Sequence, residues 1–331
     1  MEFINALPTA ISQGLIWGIM AIGFYISYKV LDFSDLTVDG SFCTGGAVCA
    51  VLIVSGVNPG LALLVAMLAG MAAGLLTGLL HAGMGIPPIL SGILTQLMLY
   101  SINLKIMGGA NLTVSARTFA VWVSSANATI AIPIILAFVV VIVFVLYWFF
   151  GTEVGCSIRA TGNNPNMSRA QGINTNFYKV LGLVISNGIV ALAGGLLAQY
   201  QGFADINMGR GAIVIGLAAI IVGTAVVKKI SRNFAIKMGG VALGGVIYYI
   251  VLQAVIAMGL DTDLLKMLSA VVVAIFLGVP HLRKKLMEGK HNGKKKGKAV
   301  AAEPEEIAPE SVVIEDVALE EEPNQEEVHD A

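Results

Sequence analysis

The side chains in this chain best placed to do chemistry are seven neutral amides and three clustered acids. Gln13, Gln96, Asn103, Asn187, Gln199, Gln201 and Gln253 fall within long apolar runs or at their ends. Asp32, Asp35 and Asp39 sit together in YKVLDFSDLTVDGS, between the first two of those runs. Polar groups cost free energy to bury in an apolar medium, so each one raises the question of function. Amides offer donors and acceptors without charge. A row of them suits guidance of a polar solute, and Asp39, Gln96, Asn103, Asn187 and Gln199 are the candidates for lining such a path. None of the acids falls clearly in the middle of an apolar run. A proton-coupled carrier needs a buried Asp, Glu or His relay, so this pattern counts against a proton-driven mechanism. The three acids have two readings. They form a solvated loop, or they mark the polar beginning of a broken second helix that contributes to the path.

Catalytic chemistry is absent from the rest. Cys43, Cys49 and Cys156 have neither metal-ligand spacing nor a disulfide framework, and Cys43 and Cys49 read as small apolar filler in a helix. His81, His281, His291 and His329 are scattered. There is no H-E-x-x-H, no G-x-S-x-G and no G-x-x-x-x-G-K-S/T phosphate loop. The expectation is a protein that is not an enzyme, with no metal and no cofactor. If ATP drives it, the ATPase is a separate subunit.

The elements that must position these groups are membrane helices. Hydrophobic residues make up 56% of the chain, charged residues 12%, and the mean hydropathy is +0.83. Soluble domains average about 25% charged. Of the 41 charged side chains, 21 lie after Pro280. The first 280 residues are too poor in charge for a soluble core. Apolar runs extend over roughly Leu7–Ser27, Gly40–Val57, Leu61–Gly83, Pro87–Leu104, Ile132–Phe150, Val180–Tyr200, Ala212–Val227, Met238–Met258 and Leu264–Val279. That predicts an all-α, polytopic helical bundle of about nine spans, each near the ~20 residues that cross a bilayer. The second and seventh runs are short and Gly-rich, and one of them is expected to be broken or re-entrant. The runs do not alternate, which argues against a β-barrel. The first run follows Glu2 without a basic leader and is long, so it is expected to remain as a span rather than act as a cleaved signal.

Gly151–Lys179 is a polar island between two apolar runs, with Arg159, Arg169 and Lys179 against Glu153 alone. Basic loops are retained on the cytoplasmic side. With nine spans and this loop inside, the N-terminus is outside and the C-terminus is cytoplasmic. The inner loops then hold Lys29, Lys228, Lys229, Arg232 and Lys237 as well, and the outer loops only Lys105, Arg117, Arg210 and Lys266. Asn163–Asn166 is a turn cluster, and Cys156–Ala160 and Met167–Gly172 can each form a short helix. Such a loop is either a plain basic connector or a docking surface for a partner protein; its composition favours docking.

Two further features stand apart. Gly70, Gly74 and Gly78 share one helix face, and Gly240 and Gly244 repeat the device, allowing close backbone approach either within the subunit or at a subunit seam. After Pro280, residues 281–331 form a separate tail. Its first part is basic, with eight Lys or Arg against Glu288, and from Ala299 it is acidic with no Lys or Arg. Blocks of like charge stay unfolded, and a basic block beside a membrane exit lies on anionic lipid. It lacks the interleaved aromatics of a nucleic-acid binder, so no nucleic-acid partner is expected.

Three passages resemble the permease subunits of bacterial ABC importers of the branched-chain amino acid and ribose type. They are Gln13–Val48 (QGLIWGIMAIGFYISYKVLDFSDLTVDGSFCTGGAV), Gly155–Ala198 (GCSIRATGNNPNMSRAQGINTNFYKVLGLVISNGIVALAGGLLA) and Gly209–Val226 (GRGAIVIGLAAIIVGTAV). The second is the most specific: Arg-Ala-x-Gly-x-Asn, a Gly-Ile-Asn, then a helix with an Ala-Gly-Gly pattern. The likeness covers about residues 5–280 and is nearest the branch sometimes assigned to aromatic amino acids. It departs at Leu31–Gly40, where three Asp stand in place of the family's Asn-Phe-Ala-x-Gly. The resemblance implies a permease domain over residues 1–280 in a bacterial plasma membrane. It implies a homodimer, an ABC ATPase subunit and an extracytoplasmic substrate-binding lipoprotein as partners. It also implies that Arg159, Ala160, Gly162, Asn164, Gly172 and Ile173 belong to a helix that couples to the ATPase. The rival class is an ion-coupled secondary carrier, which calls for paired broken helices. The sequence offers one early candidate and no clear partner in the second half.

Overall fold

Apolar runs rich in Gly, Ala and Leu close into helices because a bilayer gives exposed backbone groups no other partner. A computed structural model describes residues 2–115, 118–227 and 233–257, with six further positions between 267 and 278. The helices are α1 (Glu2–Tyr25, prolonged by a π-helical turn over Ile26–Val30), α2 (Thr37–Val54), α3 (Pro59–Ala82), α4 (Pro88–Met107), α5 (Ala128–Phe150), α6 (Glu153–Asn163), α7 (Pro165–Ala170), α8 (Thr175–Gln201), α9 (Ala212–Val227) and α10 (Phe234–Ala257). Seven of the described helices are long and apolar enough to cross a membrane, and α9 is a shorter apolar helix of 16 residues. This is a multi-pass membrane protein. Two three-residue strands, β1 (Asn111–Thr113) and β2 (Phe203–Asp205), pair antiparallel with Leu112 opposite Ala204 and tie together the connections that follow α4 and α8. Most of the expected ninth run, the tail after Pro280, and Arg117, Lys228, Lys229, Arg232 and Lys266 lie outside the described residues.

Local chemistry sets the helix ends. Asn58 accepts the Gly60 N–H and Pro59 takes the first position of α3, where a missing donor is harmless. Thr152, Asn164 and Asn174 cap α6, α7 and α8 in the same manner. The turn expected over Asn163–Asn166 narrows to one residue, Asn164, because its side chain caps Met167 N–H while Pro165 starts the next helix. Gly172 has φ +79°, a left-handed conformation that closes the loop ahead of α8.

The core is α1, α2 and α8, whose apolar windows are 83%, 72% and 78% buried; α3, α4, α5 and α10 are buried over 39% or less and form the outside. α8 is the ruler for depth. Val180 lies near the end carrying α6 and α7 (the loop end), Asn187 about halfway, and Gln199 at the far end. Against it, Leu31 packs on Gly182 near the loop end, whereas Ser41 bonds to Asn187. The segment between α1 and α2 therefore turns back into the bundle, and α2 begins at half depth. Beyond β2 the same happens from the far end. The Ile206 carbonyl accepts from Cys43 Sγ–H at 3.3 Å, and Gly209 N–H reaches the same sulfur at 3.1 Å. Thus α9 also begins inside the bundle.

This corrects two expectations. The second half does hold a partner for the broken second helix, namely α9. And acids do lie inside: Asp39 is in the first turn of α2 and Asp35 is buried just before it. Of the two readings open for the acids, Asp39 fits the polar beginning of a broken second helix, whereas Asp35 is sealed in the segment before it.

Candidate functional site

Two helices that begin inside an apolar bundle leave unpaired N–H groups there, and these must be satisfied. An aspartate serves each. The Asp35 carboxylate accepts the Thr37 N–H of α2 at 2.9 Å. The Asp39 carboxylate accepts the Ile213 N–H at 3.1 Å and the Gly211 N–H at 3.3 Å, closing the start of α9. Negative charge at a helix N-terminus is favourable on dipole grounds as well.

The two carboxylates differ in surroundings. Asp35 is 1% exposed and belongs to a sealed network. Its other oxygen takes the Asn187 amide N–H at 2.7 Å, the Asn187 amide oxygen takes the Ser41 hydroxyl at 2.6 Å, and the amide also donates to the Leu183 carbonyl at 3.0 Å. Thr37 and Thr77 share a hydrogen bond of 2.7 Å, and Thr77 reaches Thr95 at 2.9 Å, so the network crosses α2, α3, α4 and α8.

Asp39 instead lines a half-open pocket of about 290 Å³. The walls come from α2 (Asp39, Gly40, Cys43), from α4 (Ile93, Gln96, Leu97, Tyr100, Asn103) and from the re-entering segment before α9 (Ile206, Arg210). Asn103 is 1% exposed, yet among the described residues neither its amide nitrogen nor its amide oxygen has a partner. Leaving such a group unmatched costs about 1–3 kcal/mol, so this wall holds unused hydrogen-bonding capacity.

At the loop end, α6 and α7 form a helix–turn–helix platform. Gly162 seats it, since any Cβ there would strike the Val30 carbonyl and Leu31. Arg159 lies over the Phe234 ring at 5.5 Å, and Arg169 Nε donates to Thr175 at 3.0 Å. Asn164 and Gly172 are exposed; Ala160 and Ile173 are half-buried. Exposed apolar side chains at this end include Val154 of α6 and, each 57% exposed, Met167 of α7 and Phe177 in the first turn of α8.

A family model described as "Branched-chain amino acid transport system / permease component" matches residues 7–279. The chain belongs to this permease family. Among curated proteins it is similar to a "Tyrosine transport system permease protein" of Clostridioides difficile (strain R20291), 39% identical over 84% of this chain and 92% of the relative. It is also similar to the "Uncharacterized protein RP368" of Rickettsia prowazekii (strain Madrid E), 37% identical over 82% of this chain and 97% of that one. The "Galactofuranose transporter permease protein YtfT" of Escherichia coli (strain K12) is 26% identical over 70% of this chain and 64% of its own.

In this transport permease the five path candidates divide. Asp39, Gln96 and Asn103 meet at the pocket. Asn187 is locked in the sealed network, and Gln199 is committed at the far end, accepting the Trp122 N–H at 3.1 Å and donating to Cys49 and the Pro59 carbonyl. The three ladder glycines face α8 of the same chain: a Cβ at Gly70 or Gly74 would strike the Asn187 or Leu183 carbonyl, and one at Gly78 meets Val180 at 3.0 Å. Sequence reading missed Arg210, counted only as an outer-loop charge, and Met167 and Phe177. The latter two do carry a signal, as large apolar residues within a polar island. Cys43 is more than filler, since its thiol bridges to the re-entering segment.

Proposed function

We propose that this permease is the membrane subunit of an ATP-driven importer for an amino acid of the aromatic class. In this reading the chain dimerises, receives solute from an extracytoplasmic binding protein, and passes it along the wall that holds Asp39, Gln96 and Asn103. The loop end faces the cytoplasm, with the C-terminus on that side. The α6–α7 platform docks a separate ABC ATPase, whose closure shifts the platform and opens the path in alternation. The observation that carries this reading is the platform itself. A capped pair of short helices lies at the loop end, and Met167 on α7 and Phe177 in the first turn of α8 stand more than half exposed beside it. Similarity to a protein named as a tyrosine transport permease supports the solute class.

A second reading is an ion-coupled carrier, favoured by the paired helix starts of α2 and α9, which are an arrangement common in such proteins. Reconstitution distinguishes the two. Proteoliposomes holding the chain, its partner ABC ATPase and the binding protein should accumulate tyrosine with ATP and no ion gradient. Uptake that follows a sodium or proton gradient and ignores ATP would sink the importer reading.

A further inference from the structure

Three unsatisfied or half-satisfied polar groups converge on the pocket between α2, α4 and the segment preceding α9. We propose that it is a transit site for a zwitterionic amino acid, with the solute carboxylate on Arg210, its ammonium on Asp39 and its side chain against α4. The proposal rests on the importer reading and names the group chemistry by which this permease holds its solute.

The charges are placed for it. Arg210 is exposed on the pocket wall, and among the described residues its guanidinium has no hydrogen-bond partner, although its backbone is held in a turn by the Asn207 carbonyl at 3.0 Å. A guanidinium presents five donors in a fork that matches a carboxylate. The start of α9 follows two residues later, adding its own positive end. Asp39 lines the same pocket beside it, bonded to the backbone of Gly211, the residue next to Arg210. Each of its oxygens accepts one backbone N–H, which fixes the carboxylate and leaves further acceptor capacity for an ammonium. The third group is Asn103, whose buried amide uses none of its donors or acceptors within the chain. Between them, Ile93, Leu97 and Tyr100 give α4 an apolar and aromatic strip. A volume of about 290 Å³ is at the small end of ligand pockets, suited to one amino acid and too small for a peptide. An anion alone would meet Asp39, and a cation alone would meet Arg210. Only a solute carrying both charges satisfies both groups.

The test uses the full-length chain with its co-purified ATPase in lipid nanodiscs, carrying Leu97→Cys with Cys43→Ser, Cys49→Ala and Cys156→Ser. Labelling of Leu97→Cys by a charged methanethiosulfonate is timed with tyrosine, with tyramine, which lacks the carboxylate, or with desaminotyrosine, which lacks the ammonium. Tyrosine should protect, and each analogue should need about tenfold more for equal protection, the value of one charge-assisted contact. Adding Arg210→Gln should erase the difference between tyrosine and tyramine while leaving desaminotyrosine the poorest of the three. Equal protection by all three, protection by none, or a cysteine that never reacts would overturn the proposal. The ATPase that co-purifies is scored in the same preparation, so loss of the importer reading shows there and is not confused with failure of the pocket.

Discussion

Asp35 and Asp39 stand four residues apart, each closes the start of a helix inside the bundle, and yet they sit in opposite kinds of surroundings. Around Asp35 every polar atom of Asn187 is used, and hydroxyls from three helices complete the set. Around Asp39 the carboxylate faces a pocket whose lining holds an amide and an arginine side chain with no hydrogen-bond partner among the described residues. A complete network holds a structure in one arrangement, whereas an incomplete one is ready to bind. The same residue type thus does two jobs, and the number of unused hydrogen-bonding groups nearby separates them. Position relative to α2 explains the division. Asp35 lies before α2, in the irregular segment that turns toward Asn187 of α8, whereas Asp39 lies in the first turn of α2 and meets the start of α9.

The comparison can be broken at its rigid half first. Asn187→Leu strips the Asp35 carboxylate and the Ser41 hydroxyl of their partner at once, and should cost about 3 kcal/mol or more. Thermal unfolding of the purified chain should show a clear fall and a poor yield. A normal unfolding temperature would mean the network is ornamental. The platform comes next. Met167→Asp should leave the bundle folded, yet lower ATPase co-purification about tenfold or more, as loss of an apolar anchor at an interface does. Undiminished co-purification would leave Met167 as an ordinary exposed residue. Gly74→Ala tests whether α3 and α8 need their close approach. Its Cβ would strike the Leu183 carbonyl, so the loss should be about 1–3 kcal/mol, read as a lower unfolding temperature. The smallest effect belongs to the edge of the sealed network. Thr77→Val removes hydrogen bonds to Thr37 and Thr95, and a loss of about 1 kcal/mol is expected in the same assay. A larger drop would show that the threonines, not Asp35, hold the network together.

Much of the fold was legible, because spanning length and lack of charge leave few alternatives. The first eight apolar runs match helices to within about five residues, and the expected turn cluster contains Asn164, which caps α7. What was hidden was depth. Asp35 and Asp39 look like loop residues in a window average, since the segment before α2 has no periodicity and its burial comes from α8. Their partners are 152 and 172 residues distant for Asn187 and Gly211. Arg210 likewise read as an outer-loop charge because nothing local reveals that its segment turns back into the bundle. Gln96 and Asn103 were findable from one rule, that a neutral amide in an apolar run needs a reason. The same rule also selected Asn187 and Gln199, because it detects buried polarity and cannot tell a satisfied amide from a free one.

The most direct measurement is made on Asn103. Its amide has no partner among the described residues, so Asn103→Leu removes no hydrogen bond seen to hold the fold. In proteoliposomes with ATPase and binding protein, the variant should keep the wild-type unfolding temperature and the wild-type ATPase content. Its ATP-dependent tyrosine uptake should fall about tenfold, the worth of one hydrogen bond offered to the solute. Unchanged uptake in a stable Asn103→Leu permease would contradict the placing of the solute path along this wall.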